Sequence, residues 1–569
     1  MRSVPFSRAR LGACTALVLS AGMLLATPAS AGQPGPHPAV EKPAAGFTQP
    51  SPTRPTLGAL RQGVTAASGV GASPQLSDLD GDGGGDLIYR GWDGKVYTST
   101  TSGQGGEFTS ITTPTKDIIP IGNQDANASG PELLTLSSQG ALRLYADATP
   151  TGASYVWQGN GWNIYNKVVA PGDVNDDGRA DLVARDLDGN LYLYYATGVR
   201  TAPFASRVKI GTGYNTYDQL FGIGDDNGDG WADLIGRDTA GKLWFYAGTG
   251  DKANPLAARR QIGTGWGVYN QVLPVGDDNG DGNGELIARD LKGTLWYYTG
   301  KGDGTLSARQ QLSDTAGWAG IPQFAGAGNN PVTGEKEGVL ARDTRGTLFW
   351  YRASTGGGLN ARIQAGDVGG WNGANFTHLS SMDADGSSDI AEIFQGRLTI
   401  DGTDIGGGWG AYNTIVGPGD LSGDGKGDLL ARDASGILYL YKGNGSGTGL
   451  AARIKVGTGW GAYNKIVGAG DYTGDGRTDI VARTSGGDLY LYAGTGNATT
   501  PFKARVNIGT GWNTYSKIVA PGDLNADGKG DLLGITSGGD LYSYLNTTPG
   551  KFAARARIGN GYGIYNSMS

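Results

Sequence analysis

The sequence is poor in the residues that support nucleophilic and zinc chemistry. It contains one cysteine, Cys14, and two histidines, His37 and His378. A Ser-His-Asp or Cys-His site needs a well-placed imidazole, and a zinc site normally needs several His or Cys ligands. Such sites are hard to assemble from this inventory, and no catalytic residue is assigned. A single cysteine also excludes a scaffold held by disulfides.

The chain also lacks an excess of positive charge and any helical periodicity beyond its N-terminus. Lys and Arg total 46 against 53 Asp and Glu, for a formal net charge of −7. The basic footprint of nucleic-acid binding is missing, so we expect no nucleic-acid partner. Glycine is abundant, at 103 of 569 residues, and aromatic residues reach 9%. This composition indicates a large, turn-rich, all-β protein.

The first 31 residues are typical of a secretory signal peptide. They begin with three arginines, continue with an apolar stretch over residues 11–26 and end in Ala29-Ser30-Ala31. We therefore predict export to the extracellular space after cleavage behind Ala31. The apolar stretch is short and no second one follows, so we expect no membrane span. Residues 32–73 are rich in Pro, Ala, Gly and Thr, which predicts a flexible linker.

Residues 74–569 consist of a repeat of about 50 residues. The first position of its acidic loop falls at 78, 123, 173, 225, 277, 329, 381, 420, 471 and 523. Each unit divides into four short β-like runs, which is the content of one propeller blade. The predicted fold is all-β, a β-propeller of about ten four-stranded repeats in one or two rings. The spacing falls to 39 between positions 381 and 420, which indicates either an internal boundary near residue 402 or one trimmed blade.

Seven of the acidic loops fit the pattern D-x-[DNST]-x-D-G-x-x-[DE]-[LI]. Oxygen-bearing side chains at positions 1, 3, 5 and 9, with Gly at position 6, resemble the first part of an EF-hand loop. The glycine permits a sharp turn that lets several oxygens converge on one hard cation. Tight turns alone would explain a single such loop, but seven loops at the same phase favour calcium binding.

With these loops, the sequence resembles the FG-GAP or VCBS repeats of integrin-type β-propellers, over residues 74–569. The resemblance implies that each loop joins two strands of a blade and binds Ca²⁺. The loops near Asn123 and Asn329 depart from the pattern, and Ser381 replaces the first carboxylate of its loop. Carried over loop by loop, the implied ligands are Asp78, Asp80, Asp82, Asp86, Asp173, Asn175, Asp177, Asp181, Asp225, Asn227, Asp229, Asp233, Asp277, Asn279, Asp281, Glu285, Asp420, Ser422, Asp424, Asp428, Asp471, Thr473, Asp475, Asp479, Asp523, Asn525, Asp527 and Asp531.

An aromatic motif, G-[WY]-x-x-Y, precedes six of the loops by about ten residues. Two interpretations remain open. The aromatic residues form core between blades, or they form shallow sites that stack on sugar faces, as in the propeller lectins that the chain partly resembles. On the second interpretation the ligand-binding residues are Trp162, Tyr214, Trp266, Trp409, Trp460 and Trp512.

The sequence thus favours a secreted, calcium-stabilised binding protein with lectin-like recognition of glycans or of a polymeric carbohydrate surface. Several weak and similar sites would then act together. Two alternatives remain. One is a polysaccharide lyase or glycosidase built on a propeller, and the other is a protein–protein interaction module with a partner protein.

Overall fold

The computed structural model describes residues 75–569, with gaps at 92–93, 114, 125–129, 314–317, 329–335, 337, 355, 384–387, 469 and 549. The predicted signal peptide, residues 1–31, and the predicted linker, residues 32–73, lie outside the described residues. Within the described ranges, no helix is both long and apolar enough to cross a membrane.

The described part of the chain folds into ten four-stranded antiparallel sheets, as the repeats predict. From the first to the outermost strand, sheets 1 to 5 are Gln323–Phe324, Leu87–Arg90, Val96–Ser99 and Gly105–Glu107; Asp117–Gly122, Glu132–Leu136, Leu142–Thr149 and Gly152–Gly159; Tyr165–Val169, Leu182–Asp186, Leu191–Tyr194 and Val208–Gly211; Tyr217–Gly224, Asp233–Asp238, Leu243–Tyr246 and Arg260–Gly263; and Tyr269–Gly276, Glu285–Asp290, Leu295–Thr299 and Gln310–Gln311.

Sheets 6 to 10 follow the same order. They are Tyr565–Met568, Gly338–Asp343, Leu348–Arg352 and Ile363–Gln364; Asn375–His378, Ile390–Phe394, Arg397–Ile400 and Thr403–Gly407; Tyr412–Gly419, Asp428–Asp433, Leu438–Lys442 and Ile454–Gly457; Tyr463–Gly468, Ile480–Thr484, Leu489–Tyr492 and Val506–Gly509; and Tyr515–Gly522, Asp531–Thr536, Leu541–Tyr544 and Ala556–Gly559. A small hairpin pairs Asn546–Thr548 with Lys551–Phe552.

Buried apolar clusters join each sheet to its neighbour. Five clusters connect sheets 1 to 2, 2 to 3, 3 to 4, 4 to 5 and 5 back to 1. Five more connect sheets 6 to 7, 7 to 8, 8 to 9, 9 to 10 and 10 back to 6. This circular packing of sheets is the arrangement of a β-propeller. We call sheets 1–5 the first propeller and sheets 6–10 the second propeller.

In both propellers, the first strand of the opening sheet comes from the C-terminal end of the segment that forms that propeller. Gln323–Phe324 pairs with Leu87–Arg90, and Tyr565–Met568 pairs with Gly338–Asp343. The chain therefore passes from one propeller to the other between Phe324 and Gly338. The boundary considered near residue 402 does not lie there, because Gly402 is in the tight turn between two paired strands of sheet 7. That short turn accounts for the reduced repeat spacing.

The G-[WY]-x-x-Y motif forms a single 3-10 turn that leads from one sheet into the next. Such turns are Trp162–Ile164, Tyr214–Thr216, Trp266–Val268, Trp409–Ala411, Trp460–Ala462, Trp512–Thr514 and Tyr562–Ile564. Gly265 shows why the motif opens with glycine. Its φ is 80°, a left-handed conformation, although a Cβ there would meet nothing within 4 Å. Backbone conformation, and not lack of space, therefore requires glycine at this position.

Candidate functional site

The acidic loops connect the first and second strands of their sheets, and their first carboxylate organises the turn. In the loop that starts at Asp225, the amides of Gly228 and Gly230 each donate to the Asp225 carboxylate at 2.8 Å. The amide of Trp231 donates to Asp229 Oδ1 at 3.1 Å. The loop thus wraps around its own side-chain oxygens, which is the local geometry that the D-x-N-x-D-G pattern predicts.

The ninth position of each loop carries a buried carboxylate that ties the loop to the sheet. Asp233 accepts the amide of Asp226 at 2.9 Å on one oxygen and the amide of Gly248 at 2.8 Å on the other. Asp181, Asp428, Asp479 and Asp531 repeat both bonds in their own sheets. This residue begins the second strand or directly precedes it, so it joins the loop and that strand to the segment that follows the third strand.

Burial makes the negative charge of these carboxylates unfavourable. It raises the pKa of Asp233 and of Asp181 to about 8 and that of Glu285 to about 9, and the neighbouring loop carboxylates act in the same direction. The pKa of Asp428 rises to about 7 for the same reasons. A bound cation would offset both the burial and the mutual repulsion of the carboxylates.

The loop at Asp78 shows the oxygen cluster most directly. Carboxylate oxygens of Asp78, Asp80 and Asp86 all lie within 4.8 Å of one another, and this is the one such acidic group in the part of the chain that the structure describes. The six other matching loops have an amide or hydroxyl side chain at position 3 instead of a carboxylate. Oxygen ligands of all three kinds suit calcium, so the residues present fit that ion.

The departing loops contribute less to this picture. Much of the loop near Asn123, the start of the loop at Asn329, and residues 384–387 of the loop at Ser381 lie outside the described residues.

The matching loops fall into two environments. Loops of the second propeller pack against the first propeller: Asn166 Nδ2 donates to the carbonyl of Asp475 at 3.0 Å, and Asn270 Nδ2 donates to the carbonyl of Asn525 at 2.7 Å. In the first propeller, by contrast, Asp229 and its neighbours at the tip of the loop are exposed. Loops of the same sequence pattern therefore serve as a contact in one propeller and as open surface in the other.

In two loops that make this contact, a basic residue at position 7 binds a carboxylate of the first propeller. Lys529 donates to Asp218 at 3.1 Å, and Arg477 donates to Asp188 at 3.0 Å. Arg237 also binds Asp218, at 2.9 Å. Although burial opposes the charge of Asp218, Arg237 and Lys529 hold its pKa at about 2. Sequence analysis missed this contact. Lys426, Arg477 and Lys529 hold position 7 in the second propeller, but Arg179 holds it in the first, so a basic residue there does not by itself signal the contact.

The six aromatic residues proposed to stack on sugars are core residues in the structure. Trp162, Tyr214, Trp266, Trp409, Trp460 and Trp512 are each 7–8% exposed. Trp266 lies 4.5 Å from Tyr298, between their ring centroids, in the cluster that joins sheets 4 and 5. Such burial leaves no aromatic face open to a sugar, so the core interpretation of the motif applies. The reason is that the 3-10 turn directs the first aromatic residue inward, between two sheets.

A second set of aromatic residues lies beneath exposed arginines. In seven sheets, an exposed arginine before or in the fourth strand lies over an aromatic residue of the third strand, 3.9–4.6 Å from its centroid. In six of these pairs the aromatic residue is half-buried. The pairs are Arg207–Tyr192, Arg259–Trp244, Arg309–Trp296, Arg362–Phe349, Arg453–Tyr439, Arg505–Tyr490 and Arg555–Tyr542.

Comparison with known proteins identifies the repeat. The family model of the FG-GAP-like repeat matches residues 173–235, 420–482 and 471–534. No curated protein matches the sequence. Among solved structures, the crystal structure of Sqt1 from Saccharomyces cerevisiae is 13% identical, with 79% of this chain and 97% of that chain covered and a TM-score of 0.20. The structure of BamB from Moraxella catarrhalis is 11% identical, with 75% and 91% covered and a TM-score of 0.19.

The three matched segments span acidic loops of both propellers, at Asp173 and Asp225 in the first and at Asp420, Asp471 and Asp523 in the second. The similarity to the two solved structures is too low to bear on function. The chain is a β-propeller protein that carries FG-GAP-like repeats.

Proposed function

We propose that this protein is a secreted binding protein that recognises a glycan or a polymeric carbohydrate surface through several equivalent positions, on a scaffold stabilised by calcium. The observation that carries the proposal is the arginine–aromatic pair, which recurs at the same place in seven sheets. A repeated, exposed and chemically uniform feature suits a ligand that is itself repetitive. Weak contacts at several such positions would then add up to useful avidity.

The chemistry of each pair supports this assignment. Arg309 lies 3.9 Å from the Trp296 centroid, and its guanidinium donates to the hydroxyl of Tyr269 at 2.9 Å. The tyrosine fixes the arginine, while a guanidinium carries five N–H donors. Donors at the exposed side can bind sugar hydroxyl or carboxylate groups, and the half-buried indole offers apolar surface next to them.

Calcium has a supporting role in this proposal. The seven matching loops would hold it through the side-chain oxygens at positions 1, 3, 5 and 9. The ion would supply positive charge to carboxylates that are crowded and partly desolvated. The chain's own residues contribute the rest: the loop amides orient the first carboxylate, and the ninth residue anchors the loop to the sheet.

Binding to a panel of neutral and acidic polysaccharides tests the proposal. We expect wild-type protein to be retained on at least one polysaccharide, and a triple variant, Arg259→Ala, Arg309→Ala and Arg505→Ala, to be retained much less. The matched control replaces three exposed lysines, Lys209, Lys292 and Lys455, by alanine and removes the same charge. No retention on any polysaccharide, or an equal loss in the control, would reject the proposal.

Retention of a protein partner by the same surface, with no polysaccharide bound, would instead support the interaction module. The same variants decide whether the arginine–aromatic pairs are involved. Export is tested separately by N-terminal sequencing of the secreted protein, which should begin at Gly32.

A further inference from the structure

The second propeller has a polar pocket on its axis. First strands of all five sheets enclose a volume of about 460 Å³, and the lining includes Lys336, Thr377, Thr414, Asn464, Lys465 and Ser567. This size lies within the range of small-ligand sites. Polar groups account for most of the surface that faces the pocket.

In the first propeller, the corresponding positions are filled by a hydrogen-bonded network. Gln219 and Gln271 stand opposite the arginines of their second strands, as Lys465 stands opposite Arg483. Gln219 Nε2 donates to the carbonyl of Ala327, and Gln271 Nε2 to the carbonyl of Pro322, both at 2.8 Å. The chain segment around residues 322–327 thus closes the axis that is open in the second propeller.

The charges on the two axes also differ. In the first propeller, burial and the nearby Arg185 lower the pKa of Lys167 to about 7, but the carboxylates of Asp218, Asp117 and Asp471 act in the opposite direction. In the second, the charged groups that act on Lys465 are two cations, Arg483 and Lys517, and together with burial they lower the pKa of Lys465. Burial lowers the pKa of Lys517 as well.

Lys465 lines the pocket, and Lys517 directly precedes Ile518 of the lining. Neither lysine is paired within the part of the chain that the structure describes: no hydrogen bond or ion pair joins its ammonium group to another described residue. A third lysine of the lining, Lys336, donates to the carbonyl of Gly468 at 2.6 Å. Like charges held together in a partly desolvated pocket repel one another, and an anion between them relieves that cost.

We propose that the axial pocket of the second propeller binds an oxyanion, the carboxylate or phosphate group of a small polar ligand. Lys465 supplies charge from the lining, and Lys517 adds charge from beside it. The hydroxyl group of Ser567 and the side-chain amide of Asn464 supply hydrogen bonds to the rest of the ligand. The site is independent of the arginine–aromatic pairs, since it lies on the axis and they lie on the outer strands.

Calorimetric titration with three related sugars tests this site. The probes are glucuronate, which carries a carboxylate, glucose 6-phosphate, which carries a phosphate, and glucose, which is neutral. We expect one or both anions to bind, glucose not to bind, and added salt to weaken binding. Which anion binds more tightly distinguishes a carboxylate ligand from a phosphate ligand.

Two variants and a control locate the binding. Lys465→Gln and Lys517→Gln should each lower the affinity for the anion by about tenfold or more. Lys455→Gln, at an exposed lysine of the outer strand Ile454–Gly457, should leave the affinity unchanged. Thermal melting measures whether each variant is folded. If one variant does not fold, the other variant serves as the test. Absence of binding by both anions, or binding that neither pocket variant weakens, would overturn the proposal.

Discussion

The two propellers are built from the same repeat, but their acidic loops and their axes are covered in opposite ways. In the first, acidic loops such as that at Asp225 are open to solvent, while the axis is closed by Gln219 and Gln271. In the second, loops such as that at Asp523 pack against the first propeller, while the axis keeps a pocket of about 460 Å³. A repeat that folds in one way therefore presents different surfaces, depending on what covers it.

Calcium removal should have the largest effect, and it should affect the second propeller more. Each filled site adds about 1.4 kcal/mol of stability when free calcium is about ten times its Kd. Chelation should therefore lower the melting temperature by many degrees, and elemental analysis should find several calcium ions per chain. Hydrogen exchange should increase first at the contact between the propellers.

Single-loop variants sharpen this comparison. Asp523→Ala, in a loop of the contact, should destabilise the protein more than Asp225→Ala, in an open loop, although each should lose about one ion. If chelation leaves the melting temperature unchanged and elemental analysis finds no calcium, calcium does not stabilise either propeller.

Loss of a tryptophan between sheets should lower the free energy of unfolding by a similar amount in the two propellers. Trp266 and Trp460 occupy equivalent positions and are both 7% exposed. Replacement of either by alanine should cost about 3–5 kcal/mol, measured by chemical denaturation. Trp244→Ala, at a half-buried surface position, is the control and should cost clearly less. Similar small losses at all three positions would contradict the core assignment.

The sequence predicts the local structure well, because the signals are local. The spacing of oxygens and glycine fixes each acidic loop, and the four short runs fix each sheet. Closure depends on distant residues: Arg90 and Gln323, which bond across the closing strand of the first propeller, are 233 positions apart. That closing strand is only two residues long, Gln323–Phe324. Sequence analysis therefore could not locate where one propeller ends.

The same limit applies to the candidate sites. A G-[WY]-x-x-Y motif does not show whether its aromatic residue turns inward, because that depends on the neighbouring sheet. The contact between propellers depends on pairs such as Lys529 and Asp218, which are 311 positions apart. Pairings of this kind become visible only when the sheets have been placed.

A break in the contact between the propellers should destabilise the protein by less than the loss of a buried tryptophan does. Asp218→Ala would leave Lys529 and Arg237 without their shared carboxylate, and the side chains of these two residues are 7% and 3% exposed. The expected loss is about 3 kcal/mol in the free energy of unfolding, since a buried charge is left uncompensated. Asp188→Ala removes the partner of Arg477 at a site that is 76% exposed, and it should cost about 0–1 kcal/mol. Equal effects of the two substitutions would show that the buried pair does not hold the propellers together.

The last effect concerns the closed axis of the first propeller and depends on pH. Asp117 is buried there and accepts a hydrogen bond from Gln323 Nε2 at 3.0 Å. Burial raises its pKa to about 7, although the amide of Ile118 and the nearby Lys167 and Lys116 act in the other direction. A carboxyl group whose pKa is higher in the folded state contributes stability that is complete below its unfolded pKa, about 3.9, and is lost as the pH rises through about 7.

Asp117→Asn keeps the acceptor for Gln323 and removes this pH dependence. Relative to wild type, the variant should therefore gain stability as the pH rises from about 4 to about 8, by at most about 1.4 kcal/mol for each unit of the pKa difference. Melting temperatures of both proteins across that pH range measure the gain, and Asp188→Asn, at an exposed aspartate, is the matched control. If the difference in melting temperature between Asp117→Asn and wild type stays constant over this pH range, Asp117 is charged on this axis without cost. Its lysine neighbours then suffice to compensate the charge. In that case the axes of the two propellers would differ in shape and hydrogen bonding but not in how they tolerate charge.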